Sequence, residues 1–484
     1  MRLLKIAMVL ALVAMVSSVA YAETQSVKVS GDITVDAFAR DNYLLNSNAP
    51  EANAGQSSNW ATFLMSTAEV QIDADLTDNV AGVVRLVNQR NWGDSGATNV
   101  NTDLIRLDSS GTEAGYTVAN GVDSFQVNVD LAYIELKEFL YSPLTLRIGR
   151  QDLWFGKGFI VGANMNTATG TLYAQEYTAL RAFDAVRATL DYDPWTIDAV
   201  YAKISENNMR SDDDVDLAGV NIGYLFDAYN GEAEGYYWWK QARNPGTPTA
   251  APALTSVNGV TDNSVHVLGL RGSFDPIEDW TIAAEGAYQL GQYMIASQTN
   301  KRNRSAWAVD AQIECRYFQD RFAWRPVVDL EYIWYSGQNE VGDQVAGSAG
   351  KWNGWDNMFR GKFDTKIREW QNVYYDTSVT STPANTNQHQ LLLSGSIEPT
   401  DSLTCGATFG YFWLEKRYTA AATTATSTGK NVGAELDLNA TWDYTEDVQF
   451  GILAAWFFPG SAYDSTTIKS DIATDIVGTV ALSF

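Results

Sequence analysis

Gly433-Ala434-Glu435-Leu436-Asp437-Leu438-Asn439-Ala440-Thr441-Trp442-Asp443-Tyr444 puts Ala434, Leu436, Leu438, Ala440, Trp442 and Tyr444 on one phase and Glu435, Asp437, Asn439, Thr441 and Asp443 on the other. A period of two is that of a strand with one apolar and one polar face. After Thr445-Glu446-Asp447 the alternation resumes through Val448, Phe450, Ile452, Ala454, Trp456 and Phe458. So short a connection makes an antiparallel hairpin. Past Pro459-Gly460-Ser461 another strand carries Ile472, Ile476, Val480, Leu482 and Phe484 on one face, and the sequence stops inside it.

The same unit recurs back to Val27, Val29, Ile33, Val35 and Ala37, which alternate with Lys28, Ser30, Asp32, Thr34 and Asp36. Short turns fall at Leu76–Asn79, Ser142-Pro143, Asp193-Pro194, Tyr229–Gly231, Asp275-Pro276, Gln319-Asp320, Pro399–Asp401 and Glu446-Asp447, and long polar connections alternate with them. Counting the segments between them predicts about 18 strands, with both chain ends on the short-turn side. Strands of ten or so residues with turns that alternate in length are the pattern of a transmembrane barrel. A soluble sandwich or propeller alternates too, but turns its apolar face inward. The leader, the strand length, the turn asymmetry and the terminal aromatic together favour the membrane barrel. Arg2 and Lys5, the apolar run Ile6–Val16 and Ala20-Tyr21-Ala22 predict a signal peptide over 1–22. No later run of about eighteen apolar residues offers a helical span. The expectation is an all-β protein: a single antiparallel outer-membrane barrel over 23–484, with short periplasmic turns and long extracellular loops. Trp195 and Trp280, after short turns, and Trp334, Trp413 and Trp456, near long loops, mark the edges of its apolar band. Phase is irregular twice. Phe125–Leu136 changes parity near Leu131-Ala132, and Ile148 is followed in phase by Arg150, as one extra residue in a bulge would produce.

The net charge of −25, from 33 Lys and Arg against 58 Asp and Glu, excludes nucleic acid as a partner. Two cysteines, Cys315 and Cys405, are too few for a disulfide framework and read as packing residues. Nothing in the sequence asks for a cofactor, metal or catalytic site. The DxDxD of Asp212, Asp214 and Asp216 has Leu217 where a calcium loop needs Gly and lacks the twelfth-position Glu. Gly93-Asp94-Ser95-Gly96 matches the tetrapeptide around a protease nucleophile, but no His precedes it; His266 and His389 are the two histidines of the chain. The loop 337–386 is too long for a simple connection. Within it Phe359, Phe363, Ile367, Trp370 and Tyr374 step by three and four, the spacing of a helical face. That spacing predicts a short helix or compact flap over or inside the barrel mouth; a long outer hairpin is the alternative.

Leu146-Arg147-Ile148-Gly149-Arg150-Gln151 with the following Phe155-Gly156-Lys157-Gly158-Phe159 resembles the "GRQ" strand and loop of the bacterial alginate-export outer-membrane family. Gly433–Leu438 and Phe458-Pro459-Gly460 resemble it too, so the likeness spans most of the chain. The resemblance implies an eighteen-stranded barrel that conducts a polysaccharide or, in diverged members, other small hydrophilic solutes. A polyuronate conduit should have a basic lumen. The polar phase here offers Lys28, Arg40, Arg85, Arg147, Arg187, Arg271, Arg316 and Arg325, with Arg150 added by the motif strand. Its acidic set, which includes Glu285, Glu331, Glu435 and Asp437, is larger. Arginines in such a wall either pair with neighbouring carboxylates or meet cargo. The expected function is a porin for saccharide or other small hydrophilic solutes, weakly selective and cation-preferring. A selective exporter of an anionic polysaccharide and a non-conducting adhesin or scaffold are the alternatives. Expected partners are outer-membrane lipids and lipopolysaccharide, the solute, and the assembly machinery, whose signal a strand ending in Phe484 resembles. The barrel is expected to be a monomer.

Overall fold

The computed structural model describes residues 26–43, 60–92, 127–164, 172–206, 214–243, 263–293, 301–338, 350–369, 386–417, 429–463 and 471–484. The leader, the Gly93–Gly96 tetrapeptide and the connection around it, Asp212, Trp370 and Tyr374 lie outside them. The strands are β1 (Ser26–Asp41), β2 (Trp60–Thr77), β3 (Val80–Asn91), β4 (Asn128–Leu136), β5 (Leu144–Gln151), β6 (Phe183–Tyr192), β7 (Trp195–Ser205), β8 (Val215–Phe226), β9 (Gly231–Ala242), β10 (Asn263–Ile277), β11 (Trp280–Tyr293), β12 (Arg302–Cys315), β13 (Val327–Tyr335), β14 (Lys351–Trp352), β15 (Gln388–Thr400), β16 (Leu403–Leu414), β17 (Asn431–Asp443), β18 (Val448–Pro459) and β19 (Ala473–Ser483). β14 is a two-residue piece that runs parallel to β12. The other eighteen pair antiparallel with their neighbours, β13 with β15 and β19 with β1, so the sheet closes on itself.

Closure removes both sheet edges, which lipid cannot hydrate. At the seam Gly31 and Phe484 exchange two backbone hydrogen bonds of 2.9 Å. The phenyl ring covers Gly31 so closely that a Cβ there would come within 2.7 Å of it. The pleat then sorts the side chains. Ile33, Val70, Ile72, Leu268, Leu270, Leu391, Leu393, Ile452 and Val480 are exposed on the outer face, while Asp36, Arg40, Asp198, Glu285, Asp310, Glu331, Glu435 and Asp437 are buried on the inner one. This is the apolar-out, polar-in order of a lipid-embedded wall. Aromatic rings gather at both ends: Trp195, Tyr224 and Phe226 at the short turns, Tyr288 with Trp307 toward the long loops. Cys315 and Cys405 are free thiols.

Two turns fall later than the prolines suggest. β10 runs through Pro276 and β15 through Pro399, and the chain reverses at Glu278-Asp279 and Asp401-Ser402. In both strands the register slips at the proline, a bulge that accommodates a residue with no N–H to give. The parity change in β4 is likewise a bulge, with Asp130 the unpaired residue between Val129 and Leu131.

Three segments turn inward, two of them from the one connection between β5 and β6. Strap A (152–164), strap B (172–182) and strap C (350–369) put Leu153, Phe155, Phe159, Val161, Leu172, Trp355, Phe359 and Ile367 into apolar clusters inside the ring. The wall facing them is rich in alanine, with Ala185, Ala202, Ala287, Ala306, Ala308 and Ala455 buried there, since small residues leave room for the strap side chains. The helical spacing in strap C does not become a helix over 350–367; helical backbone begins only at Arg368 and Glu369. Its backbone groups find partners elsewhere. Phe359 donates to the Ile160 carbonyl at 2.9 Å, Gly361 to Gly158 at 2.8 Å, and Gly162 back to Phe359 at 2.7 Å, which stitches straps A and C into one body.

Candidate functional site

Strap A begins where the motif strand β5 ends and crosses the lumen. Gly156 and Gly158, at φ +53° and +72°, bend it where an L side chain would be strained. A Cβ on Gly158 would also strike the Trp154 ring, and one on Gly156 the Arg271 side chain. Along its underside Asp152 lies 3.5 Å from Arg85 of β3 and Phe155 lies under the Arg187 guanidinium of β6 at 5.0 Å. Lys157 then reaches Gln312 of β12 and, at 4.0 Å, Glu331 of β13. Strap A thus spans the ring from β3 to β13.

Below it runs a collar of charge in which each guanidinium is already held. Arg85 grips Asp130 and sits 3.7 Å from Glu69. Arg147 bonds Glu135 at 2.6 Å with its face on Tyr133, and Arg187, directly opposite it on β6, bonds Asp198 at 2.7 Å. Arg271 binds Glu232, and Glu234 at 2.6 Å. Glu285 accepts the Tyr236 phenol at 2.7 Å. Burial raises the Asp152 carboxyl above its ordinary value, with Arg85 pulling it back. Beneath the collar a cavity of about 780 Å³ opens toward the short turns, lined by Lys157, Glu232, Asp275, Gln312, Glu314 and Arg316 among others.

Strap C is held from the β9–β17 side. Glu435 accepts the backbone N–H of Lys366, Ile367 and Arg368 at 2.9, 2.6 and 2.7 Å, and Asp437 accepts Lys366 at 3.0 Å. Lys362 bonds Glu331 at 2.5 Å and Arg360 bonds Glu369 at 2.8 Å. Asp356 meets Lys240 and lies 3.8 Å from Arg304. Burial pushes the Asp356 carboxyl up, but these two cations outweigh it and hold it below its ordinary value. Asp364 and Glu369 go the other way, raised chiefly by burial. Strap B is clamped by Arg40, which joins Glu176 at 2.5 Å to Asp475 at 3.1 Å.

Arg85, Arg147, Arg187, Arg271, Glu285 and Glu331 are therefore brought together around strap A, and Glu435 and Asp437 grip strap C. Three of the sequence candidates stand elsewhere. Arg150 takes the outward phase next to Ile148 and pairs with exposed Asp184 at 3.4 Å, because β5 keeps its register through Gly149. Arg316 sits at the cavity mouth with Asp275, and Arg325 at the short-turn rim with Glu398 at 3.1 Å. Sequence phase missed Asp130, which the bulge turns inward, and Asp198, Asp310, Lys240 and Arg304. The signal was present: all but Asp130 lie on strict inner phase, among small or apolar neighbours such as Val200, Ala308, Trp238 and Ala306. His266 and His389 both lie on the outer wall, so no imidazole faces the lumen among the described residues.

Several solved structures are similar to this chain in shape. OccK9 (OpdG) of Pseudomonas aeruginosa superposes with a TM-score of 0.53 at 12% identity, covering 96% of this chain and 100% of that one. A BenF-like porin from Pseudomonas fluorescens Pf-5 gives 0.53 at 10% identity over 95% and 100%. OccAB1 of Acinetobacter baumannii gives 0.52 at 11% over 96% and 99%. At such identity the likeness speaks for the fold. No curated protein matches the chain in sequence. The sequence pattern described as alginate export matches residues 22–473, nearly the whole chain. With a closed barrel, an apolar outer wall and a charged lumen, this chain belongs to the alginate export family and is a channel-type β-barrel of the outer membrane.

Proposed function

We propose that the protein is a passive diffusion channel for small hydrophilic solutes of the saccharide class, weakly cation-preferring, and that it does not carry a polymer while its straps are docked. The observation that supports this is the joined body of straps A and C across the lumen, with every collar guanidinium neutralised by a wall carboxylate. Strap A crosses the lumen from β3 to β13 and stands in the path that a polysaccharide chain would take. Paired guanidinia leave a mixed wall in place of a basic ladder, and a mixed wall discriminates weakly between ions. The polar cavity under the collar suits hydroxylated solutes of a few hundred Å³ or less.

Reversal potentials across a salt gradient in a planar bilayer, with liposome swelling in sugars of rising size, test the reading. Weak cation preference and a size cut-off near a di- or trisaccharide are expected. A strongly anion-selective pore that passes uronate oligomers would replace it with the polyanion exporter. Absence of any stable conductance would leave a scaffold barrel instead.

A further inference from the structure

The two histidines of the chain lie on different strands but in one arrangement. His266 stands opposite Trp239, and His389 opposite Trp334, in both cases on the preceding wall strand. Two residues before each Trp is a tyrosine, Tyr237 or Tyr332, whose hydroxyl lies 2.7 Å from the imidazole Nδ1. The rings form layers: Trp239 and His266 at 6.3 Å, Trp334 and His389 at 6.3 Å, and Trp413 and His389 at 5.0 Å with an interplanar angle of 2°. Both imidazoles head columns of lipid-facing leucines, Leu268 and Leu270 under one and Leu391 and Leu393 under the other, at the long-loop ends of β10 and β15.

An imidazole facing hydrocarbon would leave a polar atom unsatisfied, which is costly in a medium with no hydrogen-bonding partner. At the headgroup boundary it meets partners instead. When the phenol donates to Nδ1, the neutral ring carries its own proton on Nε2. That leaves an oriented N–H donor on an aromatic shelf. Around His389 the shelf is wider. Trp334 and Trp413 stand opposite His389 on the two neighbouring strands. Lys430 lies at the end of β16, where its carbonyl accepts the Leu414 N–H at 2.8 Å and its Nζ donates to the Glu415 carbonyl at 2.5 Å, one residue past Leu414.

We infer that the Trp334–His389–Trp413 layer with Tyr332 and Lys430 is a binding site on the outer wall for the phosphorylated sugar headgroup of an outer-leaflet glycolipid. Indole and imidazole faces stack against sugar C–H groups, and the Nε2–H and the ammonium bond phosphate. The His266 layer repeats the ring geometry without the second indole or the lysine, and the site is assigned to His389 alone. The site is continuous with the lipid-facing wall and is independent of what the lumen carries.

Native mass spectrometry of the full barrel in detergent, titrated in parallel with diphosphoryl lipid A, dephosphorylated lipid A and phosphatidylglycerol, tests it. The wild type is expected to hold diphosphoryl lipid A about tenfold more tightly than either of the others, the size of one charge-assisted hydrogen bond. His389→Leu with Lys430→Ala should erase that preference and leave single-channel conductance unchanged. Tyr332→Phe, which keeps the apolar surface and removes the bond that orients the imidazole, should weaken it. Equal retention of the three lipids by the wild type would reduce the layer to an aromatic girdle and overturn the site. A phosphatidylglycerol preference would overturn it too, as would a preference that survives in a variant with normal heat-modifiable mobility.

Discussion

Removing the Glu435 carboxylate should let strap C leave its seat. In the docked state that one side chain takes three consecutive backbone N–H groups at 2.9, 2.6 and 2.7 Å, where helical backbone is about to begin. Hydrogen bonds to a charged group contribute about 1.5–3 kcal/mol each, and three on one acceptor fall well short of their sum. Relief of the buried Asp437 beside it, which is 3% exposed, offsets part of the loss. A net cost of about 4 kcal/mol to docking in Glu435→Ala is reasonable, close to a thousandfold in the docked-to-released ratio. Single-channel recording should then show larger or flickering open currents, and limited proteolysis should cut within 350–369 where the wild type resists. Glu435→Gln, which keeps one acceptor oxygen, should fall between. Asp437→Asn keeps an acceptor for Lys366 and a side-chain partner for Glu435, so it should leave the strap docked and the conductance unchanged. A Glu435→Ala barrel with normal heat-modifiable mobility but wild-type conductance, noise and protease pattern would refute the latch.

Other outcomes follow from the same geometry. Arg147→Ala or Arg187→Ala removes one positive charge from the collar and should move the reversal potential toward stronger cation selectivity by a few millivolts; no shift would mean that the guanidinia are shielded from the permeation path. Gly361→Val places a Cβ within 2.6 Å of the Trp154 ring and 2.7 Å of Gly162, so it should separate straps A and C and widen the size cut-off in liposome swelling. Acidification should first tighten the straps. Asp364 and Glu369 are raised in the docked state, so docking binds protons and is favoured as pH falls through their raised values toward the ordinary carboxylate range near about 4. Asp356 is depressed, and its contribution is lost below that range. Conductance should therefore decline as pH falls from neutral toward the ordinary carboxylate range and recover only below it; a monotonic rise on acidification would contradict the assignment.

The wall was legible because its information is local. A period of two is written into each strand, and the hydrocarbon outside demands the same sign of alternation everywhere, so Ala434 to Tyr444 alone displays the rule. Turn positions were legible to within a few residues, save where Pro276 and Pro399 are absorbed into bulges. The lumen was not legible, because its order depends on residues far apart in the chain. Lys157 meets Gln312 across 155 residues, and Arg40 meets Asp475 across 435. Phase showed that Arg85, Arg147, Arg187 and Arg271 face inward, but not that carboxylates hold each of them. It showed Phe359 and Ile367 at helical spacing, but not that Glu435 and strap A would satisfy the backbone in place of helical hydrogen bonds. Sequence alone determined which face meets lipid, since that is a property of each residue and its neighbour but one. Only closure of the sheet decided what fills the ring, since that depends on which walls the eighteen strands bring face to face.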